Sequence, residues 1–318
     1  MLISQLIAAQ RSEVIEVPDP EPGPGQLLVE IKACGVCASE LHPWQDGGWG
    51  LPARLGHEPA GIVRAVGSGV SGIAPGDRVT GFFAPAYSNL AVADEWQLAR
   101  IPEGIPFELA LGEPMACLVN ALLRSRIQVG DRVALVGVGF MGLGLLMLAK
   151  LRGPRALIAI DPRPEARERA LKLGADAAYT PDEVPTSLLV TKFSEWDSPK
   201  GCDVVVEGSG TQDGLTLAGR MVRAHGTLSV MGWHQGGPRE VDAEMWGWKA
   251  IDVVNSHMRR QADKVECLRI ALDLVASGKF SLEPLVSHRF RLDQVDEAFG
   301  HLADKPLSFT KAVIVPEA

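Results

Sequence analysis

Hydrophobic and polar positions change rhythm twice along the chain. Up to about residue 100, short alternating runs occupy Gln26 to Ala33, Ala60 to Val66, Arg78 to Phe83 and Tyr87 to Ala93, separated by turn-forming pairs such as Pro24-Gly25 and Gly76-Asp77. Alternation places successive side chains on opposite faces of a strand, so this region predicts a strand-rich, partly barrel-like domain without a dominant helix. From about residue 119, strand-like runs alternate with helical ones: Arg132 to Val136, Phe140 to Leu151, Ala156 to Ile160, Pro164 to Leu173, Asp203 to Val206, Gln212 to Val222, Thr227 to Met231 and Ile251 to Val254. That succession predicts a doubly wound α/β domain, a parallel sheet covered on both faces. Toward the C-terminus a helix is expected from Ala262 to Ala276, another from Gln294 to Ala303, and a closing strand from Lys311 to Val315. These elements are too few for a domain of their own and are expected to complete the first, giving a division into 1–119 with 257–318, and 120–256.

The segment Val133 to Ala149 carries no charge and is nearly long enough to cross a bilayer. Its alternating Val-Ala-Leu-Val start followed by glycines reads instead as strand, turn and helix. Length adds little beyond two domains: 318 residues, 46 % apolar and 22 % charged, exclude a disordered tail and a small stapled peptide. A net charge of −8, with no local basic run, argues against nucleic acid or an anionic membrane as partner. Five irregularly spaced cysteines do not make a disulfide framework, which fits a reducing cytoplasm. The N-terminal stretch MLISQLIAAQRSEV has no basic region before its apolar run, and a first strand is expected there rather than a signal peptide.

Two constellations carry chemistry. Gly137-Val138-Gly139-Phe140-Met141-Gly142 follows one predicted strand and opens a helix. Glycines at Gly137, Gly139 and Gly142 permit a tight turn and close backbone approach, and the free amides of the helix start, with Phe140 and Met141, attract a pyrophosphate. Asp161 ends the next strand, where a carboxylate receives the adenosine ribose hydroxyls. That carboxylate repels the extra phosphate of NADP, which nearby Arg163 partly offsets, so NAD is the expected cofactor. The same residues also suit a plainer role, glycines packing helix on sheet and Asp161 capping the helix near Pro164. The second constellation is Cys37, His57-Glu58 and Glu113. Thiolate, imidazole and carboxylate are the donors of a catalytic zinc, which needs about three protein ligands and one open position. Spacing alone leaves open a buried structural cysteine, a hydrogen-bonded histidine and solvated glutamates.

The stretches Gly35-Val36-Cys37-Ala38-Ser39-Glu40-Leu41-His42, Gly56-His57-Glu58-Pro59-Ala60-Gly61, Pro75-Gly76-Asp77-Arg78-Val79 and Glu113-Pro114 resemble the medium-chain zinc-dependent alcohol dehydrogenase family. Glu113-Pro114 stands where classical members place a cysteine, which makes the resemblance closest to the polyol branch of sorbitol and threonine dehydrogenases. The resemblance implies a β-rich GroES-like catalytic domain beside a Rossmann domain, one catalytic Zn2+ per chain, and a homodimer or homotetramer built through the dinucleotide-binding domain. It implies Cys37 and His57 as ligands, Glu113 as the third contact directly or through water, and Glu58 as a residue able to enter the metal shell. Glu40 would orient His57, with Lys311 counterbalancing Glu40, and Ser39 and His42 would relay the proton. Longer members of the family that the chain resembles carry four closely spaced cysteines for a second, structural zinc. None lies here between Gly81 and Val92, so the resemblance implies a single zinc, and Cys34, Cys117, Cys202 and Cys267 are read as packing residues.

Further along, Glu207-Gly208-Ser209-Gly210 and Val230-Met231-Gly232-Trp233 resemble the family's turns near nicotinamide, which makes Gly208 and Gly232 candidate cofactor contacts. By the same resemblance, Asn255-Ser256-His257 occupies the position of the family's hinge region. Trp44, Trp49, Phe82, Trp233, His234 and His257 are candidates for a substrate wall, aromatic faces packing on C–H groups and imidazoles bonding hydroxyls, although the tryptophans equally fit core or interface positions. The expected activity is hydride transfer between a secondary alcohol, in a polyol, sugar or amino alcohol, and NAD. A zinc-free NADPH-dependent quinone or enoyl reductase, and a dinucleotide-binding protein without catalysis, are the alternatives. The first would not need the Cys37, His57 and Glu113 set.

Overall fold

In the N-terminal region the alternating runs become antiparallel strands, because one face of each is apolar and needs a partner layer. The computed structural model describes residues 1–48 and 50–316. Two units form, Met1–Ala116 with Arg260–Ala318, and Cys117–Arg259. The first contains the hairpin β1 (Leu2–Ala8) and β2 (Arg11–Glu16), then β3 (Gln26–Gly35), the short helix α1 (Leu41–Asp46), β4 (Pro59–Val66), β5 (Arg78–Gly81), β6 (Leu90–Asp94) and β7 (Leu98–Arg100). Helix α2 (Gly112–Ser125) starts in this unit and ends in the second. After the second unit come α7 (Gln261–Ala276), β14 (Val286–Phe290), α8 (Val295–Asp304) and β15 (Lys311–Ile314).

The sheet of this unit runs β14-β15-β3-β4-β5-β7, with β6 also pairing β3. Along β3, Leu27, Val29, Ile31 and Ala33 are fully buried while the residues between them are partly open, so one face meets the core. Two pairings at the end of β3 bring distant parts of the chain together. Its antiparallel register with β4 sets Cys34 opposite Pro59, and its register with β15 sets Val313 opposite Gly35.

The second unit contains β8 (Arg132–Val136), α3 (Phe140–Lys150), β9 (Ala156–Ile160), α4 (Pro164–Leu173), β10 (Ala177–Tyr179), β11 (Cys202–Glu207), α5 (Gln212–Met221), β12 (Val222–Val230), α6 (Ala243–Lys249) and β13 (Asp252–Asn255). All its strands are parallel, in the order β10-β9-β8-β11-β12-β13. This is the doubly wound order whose direction reverses between β8 and β11. Val133, Ala134, Leu135 and Val136 are all buried, as a central strand covered on both faces requires. The uncharged stretch from Val133 to Ala149 divides into β8, a glycine turn and α3, and among the described residues no helix is long and apolar enough to cross a membrane. Strand β12 starts earlier than its hydrophobic run suggests, directly after α5, and contains His225 at a φ of 57°.

Asp203 on β11 ties three strands together. Its Oδ2 accepts from the Arg132 backbone N–H at 2.6 Å and from Arg155 Nη2 at 3.2 Å, and its Oδ1 accepts from Arg223 Nε at 2.7 Å. Burial works against the carboxylate charge, but these donors outweigh it and hold its pKa below the ordinary value. The folded chain therefore binds fewer protons than the unfolded chain as the pH falls through the carboxylate range, and stability is lost there. Asp203→Asn is expected to cost about 2 kcal/mol at neutral pH, the scale of hydrogen bonds to a charged group. The gap between wild type and variant should narrow on acidification, which urea unfolding across the carboxylate range will read.

Candidate functional site

Residues twenty positions apart converge in the first unit because β3 and β4 pair antiparallel. Beyond their last ladder pair, Gly35 N–H donates to the Glu58 carbonyl at 3.0 Å, so the chain leaving β3 through Val36 and Cys37 runs beside His57 and Glu58 entering β4. Cys37 Sγ, a ring nitrogen of His57 and a carboxylate oxygen of Glu58 lie within 4.8 Å of one another. Cys37 precedes the single turn Ala38–Glu40, and Ser39 Oγ, from that turn, donates to Cys37 Sγ at 3.2 Å.

Glu40, 2 % exposed, holds the histidine. Its Oε1 lies 2.9 Å from His57 Nδ1 and accepts from Gly56 N–H at 2.8 Å, and its Oε2 accepts from the Tyr87 hydroxyl at 3.0 Å. With Nδ1 tied to a carboxylate, Nε2 is the nitrogen left for a ligand. Burial disfavours charge on His57, but hydrogen bonds with Cys37 and Glu40 overcome it, and the pKa is pushed up to about 12. The spot between thiol, imidazole and carboxylates thus attracts positive charge. Together with the soft sulfur and borderline nitrogen donors, that fits a zinc ion.

Glu58 is 1 % exposed, and its Oε2 forms an ion pair at 2.5 Å with Lys311 Nζ. Lys311 Nζ also donates to the Val36 carbonyl at 3.0 Å. Burial opposes the lysine charge, and the charges of Glu58, Cys37 and Glu113 outweigh it and raise its pKa. The expectation that Lys311 balances Glu40 is thereby corrected. The register of β15 on β3 brings it to Glu58, while Glu40 is served by Tyr87, Gly56 and His57. A Cβ on Gly35 would stand 1.9 Å from Glu58 Oε2, so only glycine leaves room for that carboxylate. Sequence reasoning overlooked Tyr87 and this role of Gly35. Tyr87 carried no local signal, whereas Gly35 opens the first family-like stretch.

Other candidates fall differently. Glu113 lies in the first turn of α2 and stands outside the group of three. His42, on α1, is half exposed, with Nδ1 2.7 Å from Asp46 Oδ2. Trp44 does not form a substrate wall: it is 5 % exposed in the core of the unit, its ring stacks on Phe299 at 5.4 Å, and its indole N–H donates to Asp296 at 2.7 Å. A buried indole needs such an acceptor, and α8 supplies it. Trp49 lies outside the described residues. Lys264 Nζ sits 5.3 Å from the ring centre of Phe82.

In the second unit the glycine turn follows β8 at the point where strand order reverses. Gly137 has a φ of 92°, and a Cβ there would stand 2.5 Å from Ser209 N, so the turn needs glycine on both counts. Gly139 is the N-cap of α3, with Phe140, Met141 and Gly142 in its first turn, and the open amides of that turn fit a pyrophosphate. Asp161 lies just beyond the end of β9, 4 % exposed. Its Oδ2 accepts from Val138 N–H at 3.0 Å, so it braces the glycine turn rather than capping α4. Arg163 grips the same carboxylate as a fork, Nε to Oδ1 at 2.9 Å and Nη2 to Oδ2 at 3.0 Å, and its backbone N–H adds a bond to Oδ1 at 3.0 Å. The Asp161 hydrogen bond raises the Arg163 pKa.

Gly208 and Gly232 lie in the turns after β11 and β12. Gly208 N–H donates to the Val136 carbonyl at 2.8 Å, and Gly232 N–H to the Glu207 carbonyl at 2.8 Å. Trp233 is 48 % exposed, meets the His257 ring edge-on at 5.0 Å and carries the Arg259 guanidinium 5.4 Å from its centre. Burial lowers the His257 pKa, and its Nε2 is 3.4 Å from the Gly232 carbonyl. His234 has both ring nitrogens engaged, one by Glu207 and one by Arg239, which withdraws it from the substrate wall.

Comparison with known proteins agrees with both halves. Residues 23–103 match the alcohol dehydrogenase GroES-like domain, and residues 141–277 match the zinc-binding dehydrogenase domain. The chain is 31 % identical to sorbitol dehydrogenase of Gallus gallus, over 89 % of this chain and 87 % of that protein. It is 29 % identical to L-threonine 3-dehydrogenase of Pyrococcus abyssi (strain GE5 / Orsay), over 92 % of each. Among solved structures, the alcohol dehydrogenase TADH from Thermus sp. ATN1 superposes with a TM-score of 0.86 at 26 % identity, covering 99 % of this chain and 100 % of that one. A structure described as a zinc-binding dehydrogenase from Sinorhizobium meliloti 1021, bound to NADP, superposes with a TM-score of 0.85 at 26 % identity and covers 99 % of each chain. By its sequence over nearly its whole length, its two domains and their topology, the chain belongs to the medium-chain zinc-dependent alcohol dehydrogenases, on the polyol branch, and is an alcohol or polyol dehydrogenase.

Proposed function

We propose that the protein interconverts a secondary alcohol of a polyol, sugar or amino alcohol with its ketone, using one zinc ion per chain and NAD. The observation that carries this reading is the convergence of Cys37, His57 and Glu58 within 4.8 Å, with His57 oriented by Glu40. Cys37 and His57 would hold the metal, with Glu58 as the carboxylate nearest to them and Glu113 as an alternative partner through water. Held there, a zinc ion would supply Lewis-acid polarisation of an alcohol oxygen, and a nicotinamide would supply the hydride acceptor.

The protein's own groups have definite tasks in this scheme. Ser39, whose hydroxyl lies on Cys37 Sγ, accepts the proton of the substrate hydroxyl at its Oγ as it passes its own proton on toward His42. His42 delivers a proton to solvent, a step that suits a half-exposed imidazole whose Nδ1 lies 2.7 Å from Asp46 Oδ2. Lys311, 2.5 Å from Glu58, holds that buried carboxylate beside Cys37 and His57. The glycine turn and α3 hold the pyrophosphate, and Asp161 takes the adenosine ribose once Arg163 yields its place. NAD is favoured because a buried carboxylate there repels a ribose phosphate.

Two further points rest on the same reading. A homodimer or homotetramer through the dinucleotide-binding unit is supported by β13, an edge strand with Val253 48 % exposed. A cytoplasmic setting is supported by five free cysteines. Metal analysis of protein purified without added zinc, followed by NADH formation over a panel of polyols and amino alcohols, tests the proposal. About one zinc per chain and turnover of a subset of the panel are expected. Turnover by protein without a stoichiometric divalent metal would overturn it.

A further inference from the structure

Glu207, at the end of β11, is a fully buried carboxylate with an unusual set of donors. Its Oε1 accepts from Ser209 N–H at 2.7 Å, Ser209 Oγ at 2.6 Å and Gly210 N–H at 2.9 Å. Its Oε2 lies 2.8 Å from His234 Nε2. On the far side of that ring, Arg239 Nε donates to His234 Nδ1 at 3.2 Å, which leaves the ring proton on Nε2, pointing at Glu207. Arg239 also closes its own loop by donating from Nη2 to the Gln235 carbonyl at 2.6 Å. The chain Arg239, His234, Glu207 therefore links the turn after β12 to the turn after β11.

Those two turns touch. A Cβ on Gly232 would stand 2.4 Å from Gly210 N and 2.6 Å from Glu207 Oε2, so a displaced carboxylate moves both backbones. They are also contiguous with the glycine turn, since Gly137 meets Ser209 N. Sheet order then assigns them a task. Asp161 at the end of β9 lies on one side of β8 and faces the adenosine half of a dinucleotide, while β11 and β12 lie on the other side. A pyrophosphate held at the β8 turn leaves the second half of the cofactor to pass over the turns after β11 and β12, outside the carboxyl ends of the strands.

We propose that His234 is a positioning residue that, held by Arg239 and bonded to buried Glu207, locks the Gly208–Gly210 and Gly232–Trp233 turns into one rigid floor for the nicotinamide half of the cofactor. The inference rests on the dinucleotide reading above and adds to it a residue that touches neither metal nor phosphate. A His234→Leu variant is compared with wild type in binding NADH, and in binding ADP-ribose, which lacks the nicotinamide. Zinc content is measured alongside. The variant should bind NADH about tenfold more weakly, the scale of one lost hydrogen bond at a buried charge, with ADP-ribose affinity and zinc content unchanged. His234→Gln, which can still donate to Glu207, should restore most of the NADH affinity. Arg239→Met, which leaves every donor on Glu207 but frees the imidazole tautomer, should give the same NADH-specific loss at smaller size. Equal losses for NADH and ADP-ribose, or no loss for either, would overturn the inference. A wild-type protein that binds neither ligand would overturn the dinucleotide reading and this inference with it.

Discussion

Cys37→Ala is expected to purify without stoichiometric zinc and to lose at least about a thousandfold in turnover, the value of several kcal/mol of Lewis-acid stabilisation. The reason lies in the composition of the cluster. Cys37 is its sole sulfur, and without it His57 and Glu58 offer a two-donor site in which Glu58 is already paired with Lys311. Loss of the thiol also removes the acceptor on which Ser39 Oγ rests. The fold should survive, because Cys37 is only half-buried, in the turn that comes after β3, and alanine adopts its extended backbone readily. NADH affinity within a few-fold of wild type, measured by fluorescence, separates loss of metal from loss of structure, since every residue assigned to the cofactor belongs to the other unit. A variant that keeps its zinc and its turnover would remove Cys37 from the metal site.

How much of the fold and site is legible in the sequence depends on whether the information is local. The doubly wound unit could be read because strands such as Val133 to Val136 are apolar on both faces and the helices between them carry ordinary start and stop signals. The glycine turn was equally plain, since turn, helix start and the carboxylate after the next strand lie in one βαβ unit. Convergence of Cys37 with His57 needed the family resemblance, because spacing does not encode the register of β3 on β4. Contacts between remote segments were out of reach. Lys311 meets Glu58 through the pairing of β15 with β3, a contact between opposite ends of the chain. Trp44 turns inward because Asp296 on α8 accepts its indole proton, and His234 leaves the substrate wall because a buried Glu207 requires a donor. In each case a polar partner distant in sequence decides where the side chain points, and hydrophobic periodicity carries no record of it.

Exchange of Asp161 for Ser should shift the preference between NAD and NADP by about a hundredfold toward NADP, a change of about 2.7 kcal/mol spread over two interactions. The first is the lost acceptor for the ribose hydroxyls, worth about 1.5 kcal/mol when the acceptor is charged. The second is the release of Arg163. In the native protein its guanidinium is committed to Asp161 by two side-chain bonds at 2.9 and 3.0 Å, so its charge is answered before any cofactor arrives. Freed, it lies two residues from the ribose position with a fork geometry that matches a phosphate. Serine is preferred to glycine for the test because a hydroxyl can still accept from Val138 N–H and keep the turn braced. Arg163→Gln supplies the opposite arm. It leaves Asp161 charged and uncovered, so NAD should bind as well as before or better while NADP binding falls by about tenfold. Steady-state constants for both cofactors in the three proteins decide the matter. Unchanged NAD affinity in Asp161→Ser would show that the carboxylate serves only the turn, and parallel losses of both cofactors in Arg163→Gln would show that the arginine serves only the carboxylate.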